Sequence, residues 1–293
     1  MIVLVFLSLI LFNSPTFLFI KLAVGGISPL GITFIRLASA ALMFGIMLII
    51  YRRTLPKAPQ FWFFASIQII IASIFPTIFY CLASSQIDSV IISLINGTSP
   101  LITALLAHQL IRDDQLTRNK FLGLLLSIFG LGFLFLPQLL GDLSGNLYGF
   151  LFAFAGAASS ALSHIVAKRT MTGYPPFVAP AGQLFMAVVM LTPVAFITDL
   201  PYTLPDLTLL HWVGAVGAGL LATFAGSICY YKLIGISGPT AVSMASCFYP
   251  IGGFLLGYLF LGETLAVTAF IALALIVVGA LLVCIPKKEP KIA

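Results

Sequence analysis

Two stretches constrain this chain more than any others, Ser89–Gln109 and Thr240–Phe260. Each is an apolar run of about 20 residues, enough at 1.5 Å per residue to cross a hydrocarbon core about 30 Å thick. Each also carries a proline near its middle, Pro100 and Pro250. A proline inside a helix removes one amide donor and displaces the carbonyl four residues earlier. Those carbonyls belong to Asn96 and Ser246, polar residues in apolar surroundings. Two helices are therefore expected to break at corresponding depths, each with a loosened carbonyl beside a polar side chain. Paired interruptions in the two halves of a membrane protein point to a transport site near mid-membrane. For either proline alone, a packing kink satisfied by a neighbouring Ser or Thr is the simpler account.

Composition decides the broad class. Of 293 residues, 61% are hydrophobic and 8% charged, whereas soluble domains need about 25% charged residues to face water. The hydropathy runs from end to end, so the chain reads as an integral membrane protein in contact with the bilayer throughout. The net charge of +6 then concerns membrane orientation, and no nucleic-acid partner is expected. Cys81, Cys229, Cys247 and Cys284 lie in or beside apolar segments without ligand spacing. They read as reduced packing residues, and no metal site is expected. The N-terminal MIVLVFLSLILF lacks the basic flank and cleavage site of a signal peptide and reads as the first spanning helix. No GxSxG, HExxH or phosphate-loop pattern occurs, so no enzyme and no cofactor is expected.

Ten apolar segments can be marked, near 2–23, 29–51, 61–83, 89–109, 119–137, 147–168, 176–198, 209–232, 240–260 and 265–285. Short connections with turn or charge signals separate them. With the N-terminus inside, the inner loops hold Arg52, Arg53, Lys57, Arg112, Arg118, Lys120, Lys168, Arg169, Lys232, Lys287, Lys288 and Lys291. Lys21 alone falls outside, and Arg36 lies within a segment. That bias predicts cytoplasmic N- and C-termini in a cell (inner) membrane.

The two halves echo one another. An offset of 147 pairs Lys21 with Lys168, Pro29 with Pro176 and Arg36 with Gln183. An offset of 150 pairs Tyr80 with Tyr230, Ser93 with Ser243, Pro100 with Pro250 and Asp113 with Glu263. It also sets Pro76 on Gly226, both residues that weaken a helix. Five helices per half is an odd number, so the second half must insert upside down. The expected fold is an all-α integral membrane protein with ten transmembrane helices in two inverted five-helix repeats, 1–137 and 147–286.

Three passages carry a family resemblance: IKLAVGGISPLGITFIRLASAAL near the start, SPLITALLAHQLIRDDQLTRNKFLGLLLSIFGLGFL closing the first half, and YPIGGFLLGYLFLGETLAVTAFIALALIVVGALLV closing the second. With their order and the five-plus-five plan, the chain resembles the drug/metabolite transporter superfamily, specifically its ten-helix EamA-type permeases. The resemblance implies export or uptake of small metabolites, notably amino acids, without ATP hydrolysis. Where many members show Trp-Gly in helix one, this chain has Asn13-Ser14 followed by Pro15. The reading is a secondary transporter that exports amino acids or related small polar metabolites by alternating access. Two alternatives stand beside it: an uptake carrier for a nucleoside-like metabolite such as S-adenosylmethionine, and a channel.

Arg36 is the first site candidate, because an intramembrane arginine costs at least about 2.5–3.5 kcal/mol unless paired or hydrated. It could hold a substrate carboxylate through a bidentate fork, or bind helix-end carbonyls and lock the bundle. The resemblance includes an arginine at this place and favours the locking role. The other substrate-binding candidates are Asn13, Ser14, Thr16, Tyr80, Ser84, Asn96, Ser99, Tyr230, Ser243, Ser246 and Tyr249. Singly, such residues are glue between helices worth about 0.6 kcal/mol; together they could line a neutral, aromatic-rimmed cavity framed by helices four and nine. Pro76, Pro100, Gly226 and Pro250 are the hinge candidates. His164 is a candidate proton relay, since histidine titrates near neutrality, although a packed histidine is the simpler account. Asp88, Asp113, Asp114 and Glu263 fall at helix ends, leaving mid-membrane without a carboxylate.

Overall fold

In lipid every backbone polar group needs an internal partner, and the apolar runs form helices accordingly. The computed structural model describes residues 2–99, 147–171, 173–198, 208–233, 248–262 and 267–284, with Ala245 and scattered positions from 102 to 133. Six helices are long and apolar enough to cross a membrane: Val3–Ala23, Pro29–Ile50, Pro59–Ser84, Leu147–Ala167, Val178–Ile197 and Leu209–Leu233. They match six of the ten expected segments. The other four, near 89–109, 119–137, 240–260 and 265–285, fall partly outside the described residues.

The first span differs from the continuous helix expected over 2–23. Helix α1 (Ile2–Asn13) and helix α2 (Thr16–Ala23) are separated by a turn at Ser14-Pro15, because Pro15 has no N–H with which to continue the ladder. Local side chains cover the disturbed backbone. Asn13 Nδ2 donates to the Leu9 carbonyl at 3.0 Å, Ser14 Oγ to Ile10 at 2.8 Å and Thr16 Oγ1 to Asn13 at 2.7 Å.

Helix α3 (Pro29–Ile50) starts on an extended Ser28 whose Oγ accepts the Gly31 N–H at 3.0 Å, with Pro29 first in the helix. Both are preferred starting residues, since the hydroxyl takes an orphan donor and proline has none to lose. The third span is α4 (Pro59–Ile69), a π-helical turn at Ile70–Ile74, and α5 (Phe75–Ser84) with Pro76 in its first turn. After α6 (Ser89–Asn96) come α7 (Leu147–Thr170) and α8 (Val178–Thr198). The eighth expected segment is α9 (Leu209–Gly217), a π-helical stretch at Ala218–Ala225, and α10 (226–233). Helices α11 (Tyr249–Leu261) and α12 (Val267–Cys284) follow.

At an offset of 150 the backbone repeats itself at three places. The π turn Ile70–Ile74 falls inside Ala218–Ala225. The Thr98 N–H reaches the Ile95 carbonyl at 3.0 Å, and the Phe248 N–H reaches Ala245 at 3.1 Å. Ile102 likewise bonds Thr98 at 3.2 Å, and Gly252 bonds Phe248 at 3.5 Å. The breaks expected near Pro100 and Pro250 are thus turns at 97–98 and at Phe248, just ahead of each proline. Pro250 is the second residue of α11, a position that needs no N–H. Pro100 itself lies outside the described residues.

Small residues let the helices close up. Ala153, Ala157 and Ala161 of α7 are fully buried at four-residue spacing, and α5 packs along this helix. Gly156 belongs to the same contact, since a Cβ there would stand 2.5 Å from the Tyr80 ring. Helix α8 packs on α3 and α4, and α9 on α2. Leu4, Ile49, Leu209 and Phe260 lie on the outside, each at least 70% exposed, as side chains that face lipid do. Cys81 is buried in the core.

Candidate functional site

A cavity of about 200 Å³ lies among these helices. Two faces dominate its wall, one from α4–α5 and one from the π stretch and α10. The first carries Gln68, Ala72, Ser73, Pro76, Thr77 and Tyr80, mostly four residues apart and so along one helix stripe. The second carries Ala222, Thr223, Gly226, Ser227, Tyr230 and Tyr231. Helices four and nine were expected to frame the cavity, and much of both lies outside the described residues. Among described residues they contribute Asn96, Ser99 and Tyr249. Among the described residues the main walls are the third and eighth segments, where the π turns present the backbone irregularly, as such turns often do at functional sites.

Arg36 is anchored between these two faces. Its Nε donates to Thr223 Oγ1 at 2.8 Å and its Nη1 to Thr77 Oγ1 at 2.9 Å. The Thr223 hydroxyl in turn donates to the Ala218 carbonyl, five residues back, at 3.3 Å. The arginine thus ties α3 to both walls, through hydroxyls and not through the helix-end carbonyls that were expected. No carboxylate among the described residues pairs with it or lines the cavity. A guanidinium has five N–H donors, so two anchoring bonds leave three on a side chain of the cavity wall.

Around Arg36 the two halves place comparable groups. Tyr80 donates to Asn96 Oδ1 at 2.7 Å, lies 3.4 Å from Ser160 Oγ, and meets the Phe17 ring edge-on at 5.1 Å between centroids. Tyr230 lies 2.9 Å from His164 Nδ1, with the two rings stacked at 5.7 Å. Phe17 and His164 correspond at the offset of 147, and Tyr80 and Tyr230 at 150. Ser99 Oγ donates to the Asn96 carbonyl at 2.6 Å, so the group loosened ahead of Pro100 has a local partner. Gln183 donates to the Tyr231 hydroxyl at 2.6 Å.

Most of the candidates read from the sequence meet at this wall: Asn13, Thr16, Arg36, Tyr80, Asn96, Ser99, Tyr230 and Tyr249, with Pro76, Gly226 and His164. Asn13 and Gly226 touch, since a Cβ on Gly226 would stand 2.7 Å from Asn13 Nδ2. Two candidates lie off the wall. Ser14 packs on Gly252, and Ser84 bonds the Cys81 carbonyl at 3.0 Å. The Ser84 carbonyl takes Lys21 Nζ at 2.8 Å, and Ile87 takes it at 3.3 Å, a cation at a helix C-terminus. Ser243, Ser246 and Pro100 fall outside the described residues. Gln68, Thr77, Ser160, Ser163, Gln183, Thr223, Ser227 and Tyr231 complete the site. Their stripe spacing, and the pairing of Gln183 with Arg36, were the available signals.

A polar cavity lies among spanning helices, and the chain is similar to proteins classed as transporters. "Uncharacterized transporter YwfM" of Bacillus subtilis (strain 168) is 28% identical over 141 residues, 47% of this chain and 46% of that protein. The match thus spans about half the length of the curated relative. A solved structure described only as "Crystal structure of protein" superposes with a TM-score of 0.70, covering 96% of each chain at 16% identity, a likeness of fold. The EamA-like transporter family matches residues 1–136 and 147–285, nearly the whole length, and the chain belongs to that family.

Proposed function

We propose that the protein is a secondary carrier that exports amino acids or related small polar metabolites by alternating access between two inverted five-helix repeats, 1–137 and 147–286. Arg36 carries this reading. It is a fixed cation on the wall of a membrane cavity, held by one threonine from each half, with donors left over and no described carboxylate beside it. An anionic group on the solute completes that arrangement through charge-assisted hydrogen bonds. Asn96, Ser99, Thr16 and Asn13 offer neutral polar contacts around it, while Phe17, Tyr80, Tyr230, Tyr231 and Tyr249 supply aromatic wall.

Tyr80 and Tyr230 serve as gates toward opposite mouths in this reading, with π turns and the breaks before Pro100 and Pro250 as the compliant points. His164 is the titratable group beside one gate. The termini face the cytoplasm of a cell membrane, as the distribution of basic residues supports. The aromatic wall also suits a nucleoside-like solute, which is the second reading. Counterflow of labelled amino acids into proteoliposomes containing the purified chain tests the first. Flux above empty vesicles, competed by amino acids and not by nucleosides, is expected; competition by nucleosides alone selects the second reading.

A further inference from the structure

Gln68 lies on α4 with 2% of its surface exposed, on the wall of the same cavity. Its Nε2 donates to the Ser163 carbonyl at 3.1 Å. A carbonyl only accepts, so that bond fixes which end of the amide is nitrogen. The other end, Oε1, is buried without a hydrogen-bond partner among the described residues. Buried acceptors in membrane interiors are expensive to leave unmet. Other polar groups of the cavity wall have partners of their own: Gln183 Nε2 donates to Tyr231, the Tyr80 hydroxyl to Asn96 and the Ser163 hydroxyl to the Ser160 carbonyl.

We propose that Gln68 Oε1 is a second subsite, reading a hydrogen-bond donor at the far end of the solute whose anionic group sits on Arg36. The inference rests on the Arg36 reading above and adds a length to it. Gln68 and Thr77, the anchor of the Arg36 fork, lie nine residues apart on the one helix Pro59–Ser84. Nine residues rise about 13 Å along the axis. Allowing for side-chain reach, the two subsites stand on the order of 10 Å apart. The ammonium of an α-amino acid lies only ~3 Å from its carboxylate, so it cannot serve both. The solute class is therefore an elongated organic anion with a donor-bearing tip. An ω-amino carboxylate, or an amino acid whose long side chain ends in an amine or amide, fits it.

Proteoliposomes containing the full chain, loaded with γ-aminobutyrate, aminohexanoate or aminooctanoate, provide the test, with the matched des-amino carboxylates beside them. Wild-type affinity should rise with chain length only in the amino series, by about tenfold between the shortest and longest. Gln68→Leu should erase that rise in the amino series, while Gln68→Glu should steepen it. Arg36→Lys should weaken both series alike. Equal affinity of the two series in the wild type, with carboxylates still bound, overturns the Gln68 subsite and leaves the Arg36 reading standing. Failure of every carboxylate to bind overturns both. The wild-type comparison needs no variant, so a misfolded Gln68→Leu cannot rescue the idea.

Discussion

The Tyr80 and Tyr230 regions occupy matching places in the two halves and are built of different chemistry. Tyr80 meets Phe17 edge-on and gives its proton to Asn96. Tyr230 stacks on His164, within hydrogen-bond distance of the imidazole. The position that is an inert ring in the first half is a titratable ring in the second. Only 5% of Tyr80 is exposed, and it packs on a helix whose glycine it fills. Tyr230 is partly open and abuts Tyr231 at 5.1 Å. Duplicated backbone geometry thus fixes where a ring stands, and the neighbours give each end its own chemistry.

The largest effect is expected where the two regions share a support. Arg36→Ala removes the cation that joins Thr77 to Thr223, and hydrogen bonds to charged groups contribute about 1.5–3 kcal/mol each. Flux should fall about tenfold to a hundredfold, with a lower melting temperature by fluorescence-detected size exclusion. Arg36→Lys separates the roles. Normal melting with lost anion affinity assigns Arg36 to the solute, because an ammonium cannot copy the planar fork; low melting with normal affinity assigns it to the scaffold.

Gly156→Ala should come next and strike only the Tyr80 side. Its new methyl would stand 2.5 Å from the tyrosine ring, an overpacking of about 1–3 kcal/mol. Asn96→Leu leaves the Tyr80 hydroxyl without its acceptor, a loss of about 1–3 kcal/mol, and should impair flux while the protein still folds. His164→Phe makes the two regions alike. The Tyr230 hydroxyl then loses its ring-nitrogen partner, a loss of about 1–3 kcal/mol, and flux should fall while the Tyr80 side keeps its bonds. Ser14→Ala should be the smallest, within about 0.5 kcal/mol, since that hydroxyl bonds only its own helix in the described structure.

The sequence made the helical spans legible because lipid leaves apolar runs a single solution. The breaks ahead of Pro100 and Pro250 were legible because proline removes an identifiable donor. Their detailed form was not: Pro250 opens a new helix instead of bending an old one, and Ser99 already covers the Asn96 carbonyl. Asn13, Arg36 and Asn96 could be picked out as polar residues in apolar company. Gln68, Thr77 and Thr223 offered only their stripe spacing, and that stripe runs through π turns that leave no mark in the local sequence. Pro76 explains one π turn through its missing N–H; Gly226, at the matching place, has its N–H and provides no such cue.

Those two π turns have a mechanical consequence. A π turn holds one residue more than an α turn, so the helix beyond it is wound out of phase with the helix before it. Passing that surplus along the helix by one register would rotate the intervening residues by about 100°. Tyr80 and Tyr230 both lie on the C-terminal side of such a turn. A small migration of excess winding, with little travel of the helix as a whole, would therefore swing wall residues into or out of the passage. The same store of slack sits at the same register in each half, so the molecule carries two rotary adjustments, one for each face of its cavity.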